Sequence, residues 1–202
     1  AERQTLRIDR TPGMQRLVLL GLLGLLLAPA ALPAQDHQRV FVAGGPDEGR
    51  DAPDFTLPWA NKDTVGTDAE AYALWRDRGK VVVLAFLPRD FTRTDSLELA
   101  TFRDRYDDIF GPDAVVLAVS ADPLETRRRF AVRLNIAFRL LSDPDQAVAA
   151  KYGSKDNGGI DRRTVYVIGP DGRVRWRDLR FQAADSKAYE ALRRAVRAAG
   201  GG

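Results

Sequence analysis

The 202-residue chain contains no cysteine. That absence excludes disulfides, thiolate nucleophiles, thiolate metal ligands and every redox cycle that passes through a sulfur acid. Methionine occurs once, at Met14, and histidine once, at His37. A lone histidine in a Gly- and Pro-rich N-terminal stretch excludes both a histidine-rich metal site and a His-based triad. Lysine is confined to positions 62, 80, 151, 155 and 187, so arginine carries most of the basic charge. The net charge is only +3, and no basic stripe is interleaved with aromatics. Nucleic acid is therefore not an expected partner. No spacing of ligands marks a metal centre, and no cofactor is expected. Long apolar runs are missing too. Leu17 to Leu27 covers eleven residues, against the roughly 20 that a membrane-spanning helix needs.

What is present begins with a leader. "MQRLVLLGLLGLLLAPAALPAQ" starts at Met14 with a basic residue, Arg16, continues through that short apolar run, and reaches small residues ending at Ala34. This order is that of a secretory signal peptide, residues 14–34. The expectation is export to the periplasm or the extracellular space, with cleavage after Ala34 and no stable membrane span afterwards. Residues 1–13 read as an over-extended start, so residues 1–34 are set apart as upstream extension and signal peptide. They carry Arg3, Arg7, Arg10 and Arg16 against Glu2 and Asp9, which leaves the remainder close to neutral and without sulfur.

Residues 35–51, rich in Gly, Pro and charge, read as a mobile lead-in, with a short strand at 39–43. "DFTLPWANKDTVGT" predicts a hairpin around Asn61 to Asp63, and a short helix is expected over 68–78, closed by Gly79. "KVVVLAFLP" is a continuous apolar run of strand length, predicted to be buried on both faces. A helix is expected from Asp95 to Phe110, with Leu99, Phe102, Tyr106, Ile109 and Phe110 at three- and four-residue steps. "DAVVLAVSA" is a second buried strand. The helix after it has Asp122 as N-cap and Pro123 in first position. "FRLLSDPDQAVAAKYG" reads as strand, turn and helix, and "RTVYVIGPDGRVRWRDL" as a hairpin turning at Gly169 to Gly172. The last helix, 185–199, has Tyr189, Leu192 and Val196 on one face, and a Gly tail, 200–202, follows. Helices alternating with buried strands indicate an α/β fold: a mixed central sheet with helices on both faces.

Four blocks, "APDFTLP", "GKVVVLAFLPRDFT", "FRLLSDPDQAVAAKYG" and "RTVYVIGPDGRV", resemble a peroxiredoxin. The likeness is to the bacterioferritin-comigratory (PrxQ-like) branch of the alkyl hydroperoxide reductase/thiol-specific antioxidant superfamily. It runs from Ala52 to Val196, and the domain is set at 52–199. The resemblance implies a thioredoxin-like fold and thioredoxin-dependent peroxide reduction at P-x-x-x-T-x-x-C, with an Arg from a later strand. Pro88 and Thr92 match the Pro and Thr, Glu98 matches an acidic position, and Arg163 matches the Arg. The peroxidatic Cys position is Asp95, and the resolving Cys position is Ala100. A carboxylate has no two-electron cycle like that of a thiol, so the implied activity is not expected of this chain.

Other readings of these residues stay open. "DSLE" has capping-box spacing, with Asp95 as N-cap and Glu98 at the third helical position. Pairing of Asp95 with Arg163 is expected alongside. Asp104, Asp107 and Asp108 read as solvated surface, and "TRRR" at 126–129 as an exposed helix face. Functionally, the expectation is a non-redox binding or structural protein, monomer or homodimer. A small molecule or a protein would bind at the former peroxide pocket. The alternatives are an antioxidant enzyme by resemblance or a hydrolase using Asp95.

Overall fold

A computed structural model describes residues 44–201 except 157, 159 and 160. The strand expected at 39–43 lies outside these residues. The described part of the lead-in is not loose. Gly49 donates its N–H to the Val174 carbonyl at 2.8 Å, and Val174 donates back to Arg50 at 2.9 Å. The Arg177 guanidinium donates to the carbonyls of Gly44, Gly45 and Pro46 and pairs with Asp47. Gly45 has a positive φ of 72°, and a Cβ there would meet the Tyr152 carbonyl at 2.1 Å, so only glycine fits.

Strand β1 (Thr56–Leu57) leads into the hairpin of β2 (Trp59–Ala60) and β3 (Val65–Gly66). Asn61 Oδ1 holds its turn by accepting the N–H groups of Asp63 and Thr64. The helix expected over 68–78 does not form. Two 3₁₀ turns, Asp68–Glu70 and Leu74–Asp77, flank β4 (Tyr72–Ala73), which pairs antiparallel with β1. A segment this short gains little from helix nucleation. Pairing with β1 instead buries Tyr72 and sets its ring against Phe55.

The apolar run forms β5 (Val82–Phe86). The helix expected over 95–110 is two: α1 (Arg93–Asp104) and α2 (Tyr106–Ile109), separated where Arg105 leaves helical geometry at φ −116°, ψ 26°. Then follow β6 (Val115–Ser120), α3 (Leu124–Leu134), β7 (Arg139–Ser142) and α4 (Ala147–Lys151). The N-cap of α3 is Pro123, not Asp122. The Asp122 carboxylate is drawn away by the Asp90 N–H and the Ser120 hydroxyl, each at 2.7 Å. The hairpin of β8 (Thr164–Ile168) and β9 (Val174–Asp178) and the helix α5 (Ser186–Ala199), capped by Asp185, end the described fold.

Among the described residues, seven strands form one mixed sheet in the order β3-β2-β7-β6-β5-β8-β9, with β5 parallel to β6, β6 parallel to β7, and the other pairs antiparallel. Alternation along the central strand feeds two cores. Val83, Ala85 and Leu87 pack with Leu99 and Phe102 of α1, Phe130 of α3 and Leu192 of α5. Val82, Leu84 and Phe86 pack with Phe55, Tyr72, Val148 and Tyr152. This is the α/β sandwich expected, with helices on both faces. Among the described residues, no helix is long and apolar enough to cross a membrane.

Candidate functional site

The site lies where β5 gives way to α1. Leu87 donates the last sheet-like bond, to Val119 at 2.8 Å. Pro88 has no N–H and cannot extend the ladder, so the chain must leave the sheet there. It turns through Phe91, whose φ of 62° lies in the left-handed region. Thr92 then caps α1: its side-chain oxygen accepts the Asp95 N–H at 3.1 Å. Asp95 is therefore the third helical residue rather than the N-cap expected from "DSLE". The register is set three residues earlier because the positive-φ turn at Phe91 delivers Thr92 in extended geometry.

Freed from capping, the Asp95 carboxylate turns inward and is fully buried. Oδ2 accepts the Arg89 N–H at 2.8 Å, and Oδ1 accepts from Arg163 Nη2. One turn later Glu98, also fully buried, receives Arg163 Nη1 on Oε2, while its Oε1 has no hydrogen-bond partner among the described residues. Arg163 arrives from the residue before β8. Its carbonyl accepts the Phe181 N–H at 3.0 Å, which fixes the backbone from which the side chain extends. Arg162 beside it is exposed. Pro88, Thr92, Asp95, Glu98 and Arg163 thus converge, and Ala100 sits half-buried further along α1.

Two carboxylates clamp one guanidinium. Burial pulls the Arg163 pKa down, but Glu98 and Asp95 outweigh it and hold the arginine charged. Burial raises Glu98 to about 7 despite Arg163 opposite. Raised above its ordinary value of ~4.3, this acid costs the folded state nothing at low pH. The cost grows as pH climbs from there to about 7, then levels off. Its share is about 3 kcal/mol. We expect Glu98→Gln to keep an acceptor for Arg163 and to abolish this share. In urea unfolding, the variant should gain on the parent by about 3 kcal/mol between pH 4.5 and pH 8. Parallel stability curves would refute the assignment.

A second buried ion pair supports the same loop. Arg127 of α3 pairs with Asp90 and donates to the Ala118 carbonyl, with no exposed side-chain surface on either partner. Arg127 therefore does not belong to the exposed face expected for "TRRR". It stands three residues before Phe130 and four before Ala131, both buried, so helical spacing puts it on the inner face. Asp90 is raised to about 6 by burial, against the opposing pull of Arg127. Nearby, Asp161 accepts from Gln146 Nε2 at 2.7 Å and is raised by burial to about 7. The acidic group Asp104, Asp107 and Asp108 is exposed, and Arg103, Arg105 and Arg193 pair with Asp104 and Asp108. Among the described residues no cluster of His, Asp or Glu has metal-holding geometry.

Residues 49–177 match the model of the AhpC/TSA family. The chloroplastic Peroxiredoxin Q of Oryza sativa subsp. japonica is 30% identical over 151 residues, covering 74% of this chain and 66% of that protein. The alignment thus spans just under two thirds of the rice relative. Peroxiredoxin Bcp of Bacillus subtilis is 30% identical over 72% of this chain and 94% of its own. The crystal structure of Peroxidoxin BcpB from Mycobacterium tuberculosis superposes with a TM-score of 0.64 at 26% identity, over 76% of this chain and 97% of that one. The fold, the ordered motif blocks and these relatives agree. The chain belongs to the AhpC/TSA family of peroxiredoxins, with Asp95 standing where the family's peroxidatic cysteine is expected.

Proposed function

We propose that this chain has left cysteine-based peroxide reduction and works as an exported, non-redox binding or structural protein. One observation carries the reading. Asp95 occupies the Cys position and, together with Glu98, saturates the cation that the motif places there. Peroxide reduction needs a thiolate, and the sequence has none. The hydrolytic alternative gains no support. Asp95 is fully buried, with each carboxylate oxygen already turned to a donor of the protein, so it offers no open face to a substrate. The filled pocket also disfavours a small anion, which would have to displace two carboxylates. Binding then falls to the rim.

The test is consumption of hydrogen peroxide and an alkyl hydroperoxide by metal-free protein, with thioredoxin or dithiothreitol as reductant. We expect no rate above that of the reductant alone. Turnover well above that background would end the proposal. Export rests on the order of charge, apolar run and small residues from Arg16 to Ala34. Material recovered outside the cytoplasm should begin near Gln35, and an intact 17–27 segment in the membrane fraction would argue for retention instead.

A further inference from the structure

The rim next to the filled pocket has a definite chemistry. Phe91 is 36% exposed, although its residue is held in left-handed geometry between Asp90 and Thr92. Its ring packs on Phe130 at 4.8 Å between centroids. The guanidinium groups of Arg129 and Arg133 lie over it at 5.8 Å and 5.5 Å. Val132 is 53% exposed on the same helix, and Leu97 is 45% exposed one turn along α1 from the exposed Arg93. Helices α1 and α3, which carry these side chains, pack together. Arg89, Arg93, Arg129 and Arg133 are all exposed, and none makes an ion pair with a carboxylate among the described residues. Elsewhere the exposed Arg173 and Arg175 pair with Asp51 and Asp171, while other exposed arginines such as Arg162 and Arg194 make no ion pair among the described residues; what sets this rim apart is two guanidiniums gathered over one exposed ring.

The geometry points to a docking surface for an acidic protein segment that also carries apolar side chains. This deepens the non-redox binding reading and rests on it. Charge complementarity selects the occupant. A two-fold contact between copies would set the same unpaired arginines against each other, so a second copy is disfavoured. A bilayer is disfavoured because Phe91, pinned by Phe130 and two guanidiniums, cannot insert into the acyl boundary. Nucleobases are disfavoured because Phe130 and two guanidiniums already crowd the Phe91 ring, and no second exposed aromatic stands on α1 or α3 to continue a stack. An acidic peptide meets the arginines with carboxylates, and Val132, Leu97 and the Phe91 edge with aliphatic or aromatic groups.

The experiment is selection of a phage-displayed random 12-residue library on the full chain, followed by fluorescence anisotropy with the enriched peptides synthesised. Enriched peptides should combine Asp or Glu with aliphatic or aromatic residues. Their affinity should fall more than tenfold for Arg129→Glu/Arg133→Glu and clearly for Arg129→Gln/Arg133→Gln. The latter removes charge without adding repulsion. Phe91→Asn, which tolerates the positive φ, should weaken binding as well. Unchanged circular dichroism melting keeps these readings separate from unfolding. Four results would overturn the proposal: no enrichment, enrichment of basic or neutral peptides, binding only to phosphatidylglycerol vesicles, or a sedimenting dimer that the same substitutions dissociate. A peroxide assay on the same samples tells a failure of this surface from a failure of the non-redox reading.

Discussion

Replacing Arg163 with methionine should cost about 3–5 kcal/mol of folding stability at neutral pH. Methionine fills much the same space, so the loss comes from charge. Asp95 and Glu98 are fully buried, and Arg163 is the side-chain partner of both. Removing one member of a buried pair strands its partner without water or counter-charge, and such losses fall in this range. Here two carboxylates are stranded, although Glu98, already raised to about 7, escapes by taking a proton. Asp95 keeps one bond, from the Arg89 N–H. The carboxylate side of the clamp should be less sensitive. In Asp95→Asn one acceptor oxygen survives, but the amide NH₂ must face either Arg163 or the Arg89 N–H, donor against donor. That mismatch is worth about 1–3 kcal/mol. Urea unfolding at pH 7 measures both. A loss below about 1 kcal/mol for Arg163→Met would show that the clamp contributes little and that the buried carboxylates are relieved some other way.

The sequence made the sheet and the site motif legible for different reasons. "KVVVLAFLP" could be assigned to a central strand because nothing in it suits a wet face, and residues 81–87 are all buried. The turns at Asn61 and Gly172 follow from local side-chain and φ requirements that survive any tertiary context. Pro88, Thr92, Asp95 and Glu98 are close in the chain, so their spacing carries their geometry. Arg163 is 65 residues from Glu98, and only the resemblance placed it at the site. Long-range competition defeated the rest. "DAEAYALWRD" has helical composition, but pairing with β1 overrides it. "DSLE" offered a cap at Asp95, but Thr92 had already taken that role. Arg127 looked like one more surface arginine because the partner that makes its burial tolerable, Asp90, is 37 residues away. Its signal was the i to i+3 relation with Phe130, which composition hides.

The same legibility bounds what the substitution at the Cys position did to the pocket. Thr92 still caps α1, Pro88 still ends the sheet, and Arg163 still reaches the third residue of the helix. A carboxylate at the Cys position is therefore compatible with this frame. The carboxylate holds it closed by taking up the arginine and the Arg89 N–H.

Asp95→Cys should restore reaction with peroxide, at least for one turnover. The introduced thiol would lie in the first turn of α1 beside Arg163, and both features favour a thiolate. It is also shorter than the carboxymethyl group it replaces, which leaves room and a free Arg163 Nη2 for a peroxide oxygen. The thiolate attacks one oxygen of the O–O bond. The bond breaks, the other oxygen leaves as hydroxide or alkoxide and takes a proton, and the sulfur becomes a sulfenic acid. No second cysteine exists to resolve it, so the product should wait for an added thiol reductant. Mass spectrometry should show one oxygen added at residue 95, forming at least about tenfold faster than on free cysteine at the same pH, given the lowered thiol pKa and the oriented site. Adding Arg163→Met should cancel the acceleration, which separates a positioned thiolate from a merely exposed one. A rate equal to free cysteine in the single variant would mean that Glu98 retains Arg163 for itself and that the pocket no longer admits peroxide, even with its sulfur returned.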